Sequence, residues 1–278
     1  MRRGKGKPFL EVFASALHED YRFPILEIFV FLYTLGTFVF ANFGPPLSPQ
    51  AVSGEAVAYN LTASLLGAGA SVGLSLPLFI FIILIFKNIA YGLGSDLEKG
   101  IIQTYFSYPL KRSGILTAKL FSALGITLIL FLTIQIFALY ILAPDIVLPY
   151  LGTVLLTYAA NLSYALLIAG IVLLVTLALR RGGLTLVVGI VLYFAMGIIS
   201  GIAIFVAFAT GSPLALQIIS VISPNIVLAQ YYPTYLRVGG ELWVPTFSEV
   251  LLSTGASYAI VVFLFILGYL YFSRRLGL

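Results

Sequence analysis

Long apolar segments without charge are the feature that most constrains how this chain folds. The stretch from Tyr150 to Leu179 contains no Asp, Glu, Lys or Arg, and comparable segments recur along the sequence. Of the 278 residues, 61% are hydrophobic and 9% are charged, whereas soluble domains carry roughly 25% charged residues. Because a soluble chain of this length cannot bury so much apolar surface, the sequence predicts an all-α, polytopic membrane protein.

Six segments are long enough to cross a bilayer, whose core requires about 20 apolar helical residues. The second segment exceeds that length and Pro77 interrupts it, so we expect a bend or a span that starts near Ala70. Residues 1–278 are predicted to form a single transmembrane domain. The predicted spans are residues 24–43, a part of residues 62–93, and residues 115–142, 150–179, 184–210 and 250–272.

The Lys and Arg residues fix the predicted orientation, because these residues concentrate in cytoplasmic loops. With the N-terminus in the cytoplasm, six spans return the C-terminus to the same side, and every Lys and Arg except Arg237 is then cytoplasmic. The sequence therefore predicts a multi-pass protein of the cell membrane with both termini in the cytoplasm. This topology accounts for the net charge of +5, and no nucleic-acid partner is expected.

Composition excludes several classes of chemistry. The chain has no cysteine and a single histidine, His18, so it cannot form disulfides or thiolate sites and has too few ligands for haem or zinc. Ionisable residues are nearly absent from the spans, which argues against an ion-driven transporter. Gln135 and Asn161 are the deeper polar residues. Hydrogen bonding between helices is favoured for both over lining a translocation path.

One long polar segment lies between the second and third predicted spans. Ser95 and Glu98 have the spacing of a capping box, and Asp96 adds negative charge at the positive end of the helix dipole. Pro109 ends the helix, because it has no N–H and disfavours helix in the residue before it. The pattern therefore predicts a short amphipathic helix in the cytoplasm over residues 95–109.

One face of this predicted helix is apolar, because spacings of three and four residues bring side chains together. Since a membrane chain offers this face no core of its own, we expect the face to dock onto another protein. The alternative is a helix that lies on the lipid surface. The members of the face are Leu97, Ile101, Tyr105 and Tyr108.

Both sides of the predicted bundle carry further features. Residues 8–22 are predicted to be a helix that lies along the membrane interface, with Pro8 at its first position. Residues 211–249 contain two Ser-Pro steps that start helices too short to span, and these helices are predicted to re-enter the outer leaflet. Asn60, in the first outer loop, begins an N-x-[ST] sequon, and its glycosylation is an open question.

The segment LEKGIIQTYFSYPLKRSGILTAK resembles the cytoplasmic signature of the membrane subunits of ABC exporters of the type-2 permease family, which have the type V exporter fold. That signature has an acidic residue and a glycine, an apolar helix, a Pro-x-x-Arg turn, and a lysine that opens the next span. The segment PLALQIISVISPNIVLAQYY is similar to the outer re-entrant helices of the same family. The corresponding signature positions are Glu98, Gly100, Pro109, Arg112 and Lys119.

The resemblance implies a six-span permease subunit that forms a translocation path at a dimer interface, with a second copy or a paralogue as its partner. In the family, the first cytoplasmic loop is a coupling helix that sits in a groove of a separate ABC ATPase subunit. ATP and Mg would be bound by that ATPase, so the chain itself is expected to be no enzyme and to hold no cofactor. The residues with an implied coupling role are Asp96, Leu97, Glu98, Ile101, Tyr105 and Arg112.

Two other functions stay open. The chain could be a non-transporting membrane subunit that anchors a soluble partner through the same cytoplasmic helix. A secondary transporter is the less favoured alternative, because the spans hold so few ionisable residues. The sequence does not indicate the transported substrate.

Overall fold

The computed structural model describes residues 8–22, 24, 27–35, 77–106, 109–142, 148–232 and 242–275. All regular secondary structure in these ranges is helical. Helix α1 comprises Pro8–Asp20, close to the helix predicted over residues 8–22. Helix α2 comprises residues 27–35, within the first predicted span. The later part of that span and Asn60 lie outside the described residues.

Helix α3 comprises Pro77–Glu98. Its middle part, Phe86–Leu93, is π-helical, and the helix returns to α-helical geometry at Gly94–Glu98. The start near Ala70 that the sequence predicts for this span lies outside the described residues.

A sharp turn follows α3 at Gly100, which has a φ of 71°. This left-handed conformation carries little steric cost for glycine, which has no Cβ. The short helix α4 comprises Ile101–Tyr105. Helix α5 then begins at Arg112, and its three consecutive segments are Arg112–Leu120, the π-helical Phe121–Ile126, and Thr127–Leu142.

The prediction of one helix over residues 95–109 is wrong in its bounds. Ser95 lies inside the last segment of α3, which continues from the π-helical part without a break and has no side-chain cap. A capping residue must stand at the end of a helix with non-helical dihedrals, so the predicted capping box of Ser95 and Glu98 does not form. Gly100 divides the segment into the end of α3 and the separate helix α4.

Five more helices complete the described chain. Helix α6, Leu151–Leu179, and helix α7, Gly182–Thr210, are joined by a tight turn at Arg180 and Arg181. Helices α8, Leu214–Ile222, and α9, Asn225–Tyr231, each follow a Ser-Pro step, as predicted for two short helices. Helix α10 comprises Phe247–Arg275.

The prediction of a helical protein with several membrane spans is confirmed. Five helices are long and apolar enough to cross a bilayer: α3, the part of α5 at Arg112–Gln135, α6, α7 and α10. The predicted spans 115–142, 184–210 and 250–272 fall within α5, α7 and α10, and the predicted span 150–179 begins one residue before α6. These helices account for four of the six predicted spans, and α3 accounts for the described part of the second.

Helix α6 lies at the centre of the bundle. It packs most closely on α10, at Gly170 of α6 and Gly268 of α10, which have no side chain. A Cβ on Gly170 would lie 3.0 Å from the Cβ of Leu264. Small residues allow helix backbones to approach within a membrane. Phe131 of α5 contacts the rings of Tyr33 of α2, Phe81 of α3 and Tyr158 of α6, and so joins four helices.

Helix α7 is the most peripheral of the candidate spans. Only 6% of its most apolar stretch is buried, whereas the corresponding stretches of the other four are 28% to 61% buried. It contacts α3 at its start, where Gly182 meets Gly94, and again at Gly189, which lies against Phe86. One long face of α7 therefore has no neighbour among the described residues.

Candidate functional site

The polar segment singled out by its sequence forms an exposed loop at one end of the bundle. We call residues 98–106 and 109–112 the exposed loop; Tyr108, a predicted member of the apolar face, lies outside the described residues. We call this end, where α1, α4 and the turn between α6 and α7 meet, the α4 end. Most of the solvent-facing positions of the loop are polar or charged. The exposed side chains are Glu98, Lys99, Gln103, Thr104, Pro109, Lys111 and Arg112.

The apolar face predicted for this segment is largely internal. Leu97 and Tyr105 are buried in the core of the chain itself, and Ile102 is buried with them. The expectation that this face has no core of its own chain to pack on is therefore wrong. Helix α4 is too short to hold its shape alone, so these contacts position it. Ile101 is half-buried at the edge of the loop.

Two other predicted coupling residues have partners within the chain. A carboxylate oxygen of Glu98 accepts a hydrogen bond from the backbone N–H of Gly182 at 3.0 Å, so Glu98 caps helix α7 and not its own helix. The guanidinium of Arg112 lies 5.0 Å from the centre of the Phe106 ring, within the range of a cation–π contact.

Beneath the exposed loop, Lys119 of α5 forms two ion pairs. Its ammonium lies 2.6 Å from the carboxylate of Asp96 in α3 and 2.9 Å from that of Glu19 in α1. The side chains of Lys119 and Asp96 are 7% and 2% exposed, whereas Glu19 is 49% exposed. A buried charge is tolerated only when it is paired and hydrogen-bonded, and Lys119 meets this condition through both carboxylates. The ring of Tyr105 lies 5.2 Å from the same ammonium.

Asp20 extends this arrangement at the end of α1. Its carboxylate accepts a hydrogen bond from the Ser122 hydroxyl, and its backbone carbonyl accepts one from the Lys87 ammonium. Burial raises the pKa of Asp20 from 3.8 to about 6, against the opposing effects of the Ser122 hydrogen bond and of the positive charges of Lys119 and Lys87. We call Glu19, Asp20, Asp96, Lys119 and Lys87 the ionic cluster.

The π-helical turns of α3 and α5 supply acceptors and donors beside the ionic cluster. A π-helical turn disrupts the regular backbone ladder and is frequent at functional sites. The Tyr21 hydroxyl donates to the carbonyl of Ser122 at 3.1 Å, and the Asn88 amide donates to that of Ala123 at 3.5 Å. The Tyr21 hydroxyl also hydrogen-bonds with Thr127. Burial raises the pKa of Tyr21 to about 12.

Reasoning from the sequence missed the ionic cluster. Its members are far apart in the chain, and each has an ordinary local explanation, such as a lysine near the end of a span or an acidic residue in the first turn of a helix. Only the position of Lys119 at the opening of a span, within an otherwise apolar run, was a signal. The pairing of Lys119 with Asp96 and Glu19 depends on how three helices meet.

Gln135 and Asn161 both lie inside the bundle. Asn161 donates a hydrogen bond to the backbone carbonyl of Thr157, one turn earlier in α6, at 2.8 Å. Gln135 also has a polar partner. Both side chains are buried within the single chain, which favours a structural role for them over direct contact with a translocated substrate.

An apolar groove opens between α3 and α7. Its volume is about 540 Å³, within the 300–1,000 Å³ range of small-molecule sites. Aromatic and branched aliphatic side chains line both walls, and Lys87 lies among them. The residues that line the groove on its two sides include Phe79, Ile82, Phe86, Tyr91, Ile190 and Phe194.

Taken together, these features define the class of protein. The described residues form an all-helical, multi-pass membrane protein with five candidate spans, an exposed polar loop at one end, and an ionic cluster beneath that loop. In the same ranges, no group of three or more acidic or His side chains is arranged to hold a metal ion. Comparisons of the chain with protein-family models, curated proteins and solved structures found no match.

Proposed function

We propose that this chain is the membrane permease subunit of an ATP-driven ABC exporter. Two copies, or one copy and a paralogue, form the translocation path between them, and separate ATPase subunits bind ATP and Mg. The observation that carries the proposal is the exposed loop: a polar, solvent-facing element whose base is fixed to three helices by the buried Lys119. A loop fixed in this way can keep its conformation when a docked partner displaces it.

The coupling residues take two different roles in this proposal. Ile101 and Arg112 lie at the surface of the loop and contact the ATPase. Asp96, Leu97 and Tyr105 are buried, so they hold the loop in shape. Glu98 fixes the loop to the start of α7. The docking surface is therefore the rim of the loop, which carries Lys99 and Gln103 as well.

The second copy is proposed to pack against α7. Only 6% of the most apolar stretch of α7 is buried against the described residues, which leaves a large face for a partner helix. Gly197 and Gly201 have the G-x-x-x-G spacing that allows close approach of two membrane helices, and no atom lies within 4 Å of a Cβ built on either. In the dimer, the groove between α3 and α7 then lies beside the interface, as a path between two copies requires.

The orientation is proposed from the distribution of charge. The α4 end is cytoplasmic, together with both chain termini, because Lys and Arg concentrate there. Helices α8 and α9 comprise 9 and 7 residues, far fewer than the roughly 20 that a span requires. They are proposed to re-enter the outer leaflet, where Leu216 and Val227 are buried against the ends of the neighbouring spans.

The test is purification of the chain from its own membranes in mild detergent, followed by reconstitution with any ATP-binding subunit that copurifies. The proposal expects ATP hydrolysis that is sensitive to vanadate and changes when the permease is added. A stable soluble partner without ATP hydrolysis would favour the membrane-anchor alternative. Uptake driven by an ion gradient, with no ATPase present, would favour a secondary transporter.

A further inference from the structure

Lys119 contacts several parts of the chain at the α4 end. It is itself part of α5, Asp96 belongs to the end of α3, and Glu19 belongs to α1. A lysine ammonium is a compact charge with three N–H donors, so it can donate hydrogen bonds to two carboxylates on different helices at once. Tyr105 adds α4 to the same point through the contact of its ring with the ammonium.

Several residues at the end of α1 form hydrogen bonds near Lys119. The Asp20 carboxylate and the Tyr21 hydroxyl are both bonded to the π-helical segment of α5, through the side chain and the carbonyl of Ser122 respectively. One turn earlier, the Ser15 hydroxyl lies 3.4 Å from the hydroxyl of Tyr105 in α4. Contacts to both the loop and the start of α5 therefore hold α1 in place.

Helix α1 also leads directly into the first span. Helix α2 begins at residue 27, only a few residues after the end of α1. The Tyr33 ring of α2 packs edge-on against Phe131 of α5, with 5.7 Å between ring centres. A movement of α1 is therefore applied to α2 across a short connection.

We propose that Lys119 is a positioning residue that makes α1 and the exposed loop move as one unit, so that displacement of the loop is passed through α1 to the first span. This inference rests on the proposed function for the source of the displacement, which is the docked ATPase. The pair with Asp96 holds the loop, and the pair with Glu19 holds α1. Because Glu19 is half-exposed while Asp96 is buried, removing Glu19 breaks the ion pair of α1 without leaving a buried charge unpaired.

The first experiment measures the link in the permease alone. Spin labels at the exposed positions of Ala14→Cys in α1 and Gln103→Cys in α4 report their separation in the full-length protein in lipid nanodiscs, since the chain has no other cysteine. We expect one narrow distance distribution in the parent and loss of that narrow peak in Glu19→Ala. Glu11→Ala, which removes another exposed carboxylate of α1, is the matched control and should keep the narrow peak.

Lys119 itself is tested in the same way. Lys119→Met should also lose the narrow peak, and Lys119→Arg should restore it, because a guanidinium can again bond both carboxylates. If Lys119→Met does not fold, Glu19→Ala still decides the question. A narrow peak in Glu19→Ala identical to that of the parent would overturn the proposal, whether or not an ATPase is present.

The second experiment measures transmission in the complex with the ATPase. Labels at Thr34→Cys in α2 and Leu252→Cys in α10, both exposed, should change their separation when the ATPase is trapped with vanadate. In Glu19→Ala we expect this change to be lost, although the ATPase still copurifies and hydrolyses ATP. Persistence of the change in Glu19→Ala would overturn the role of α1. Failure of any ATPase to bind the parent would count against the proposed function, while the first experiment would still decide the rigid link.

Discussion

At the scale of single residues, the exposed loop contains side chains of two kinds that lie next to each other in the sequence. Ile102 is buried and Ile101 is half-buried. Two adjacent residues of α4 therefore differ in role: Ile102 holds the loop, and Ile101 is proposed to contact the ATPase. Substitutions at these two kinds of position should therefore have different effects, on folding in the first case and on binding in the second.

Replacing Ile101 by Asp should release the ATPase while the permease still inserts and folds. The change places a charge in an apolar contact, which costs several kcal/mol when the charge is left unpaired. A micromolar complex has a binding free energy of about 8 kcal/mol, so most of the affinity should be lost. Copurification of the ATPase with the variant is the measurement.

Ala14→Asp is the matched control for this change, because Ala14 is exposed on α1 and lies outside the docking surface. This variant adds the same charge away from the half-buried contact of Ile101, so it should retain the ATPase. If Ile101→Asp binds the ATPase as tightly as the parent does, the exposed loop is not the coupling element, and a loop that rests on lipid is then preferred.

Asp20 should make stability depend on pH. Burial raises its pKa from 3.8 to about 6, so folding favours the protonated form. This contribution to stability is complete below pH 4 and is lost as the pH rises through about 6. The positive charges of Lys119 and Lys87 face the same carboxylate and keep its pKa from rising further, whereas the negative charge of Glu19 raises it.

Asp20→Asn tests this dependence, because the amide oxygen can still accept the hydrogen bond of Ser122 while the titrating group is gone. We expect the variant to be more stable than the parent at pH 7.5, by on the order of 2–3 kcal/mol, and the difference to shrink at pH 4.5. Thermal unfolding in detergent at the two pH values measures it. A variant that is less stable than the parent at pH 7.5 would contradict the prediction.

At the scale of elements, the contact between α3 and α7 depends on close approach of two backbones. A Cβ on Gly182 would lie 2.9 Å from the backbone carbonyl oxygen of Tyr91, a distance that requires movement of one helix. The Glu98 carboxylate caps α7 at the same residue. The junction therefore combines a steric requirement with a favourable charge at the helix N-terminus.

Gly182→Ala should destabilise the protein by about 1–3 kcal/mol, as expected when a side chain is added to a packed contact. Gly183→Ala is the matched control, since no atom lies within 4 Å of a Cβ built there. The control should be neutral or slightly stabilising, because alanine favours helix over glycine by about 1 kcal/mol. Both effects can be read from thermal unfolding in detergent. Equal stability of the two variants would show that α3 and α7 do not meet at Gly182.

At the scale of the whole molecule, the two ends of the bundle differ in chemistry. The α4 end holds the ionic cluster and the exposed loop, whereas the opposite end holds α8 and α9 with the buried Trp243. Among the described residues, charge is concentrated at the first end, whereas Glu249 is the one charged residue beside α8 and α9. This asymmetry is the physical basis of the proposed orientation, because Lys and Arg are retained on the cytoplasmic side.

Labelling of single cysteines tests the orientation, since the parent has none. In sealed, right-side-out vesicles, an impermeant thiol reagent should label Val244→Cys or Gln50→Cys and spare Lys111→Cys, since Val244 and Lys111 are both exposed. Permeabilised vesicles provide the control, because all three positions should then react. Labelling of the cysteine at Lys111 in sealed vesicles would refute the topology.

Much of the architecture could be predicted from the sequence alone. Uninterrupted apolar runs force helices, because a bilayer offers no water to backbone N–H and C=O groups and every one must be bonded within the segment. Four long spans, the helix near the N-terminus and the two short helices after Ser-Pro steps follow from such local rules. The helix bounds at residues 95–109 could not be predicted correctly, because the capping pattern at Ser95 competes with continuation of α3, and packing decides between them.

The sequence by itself determined that this is a helical membrane protein and where its polar loop lies, since these properties depend on hydropathy and on residues near each other in the chain. Only the tertiary structure decided that Leu97 and Tyr105 face inward, that Glu98 caps α7, and that Lys119 joins Asp96 to Glu19. Each of these contacts brings together residues on different helices. Their energies depend on burial and on distance, and neither quantity exists until the helices have packed.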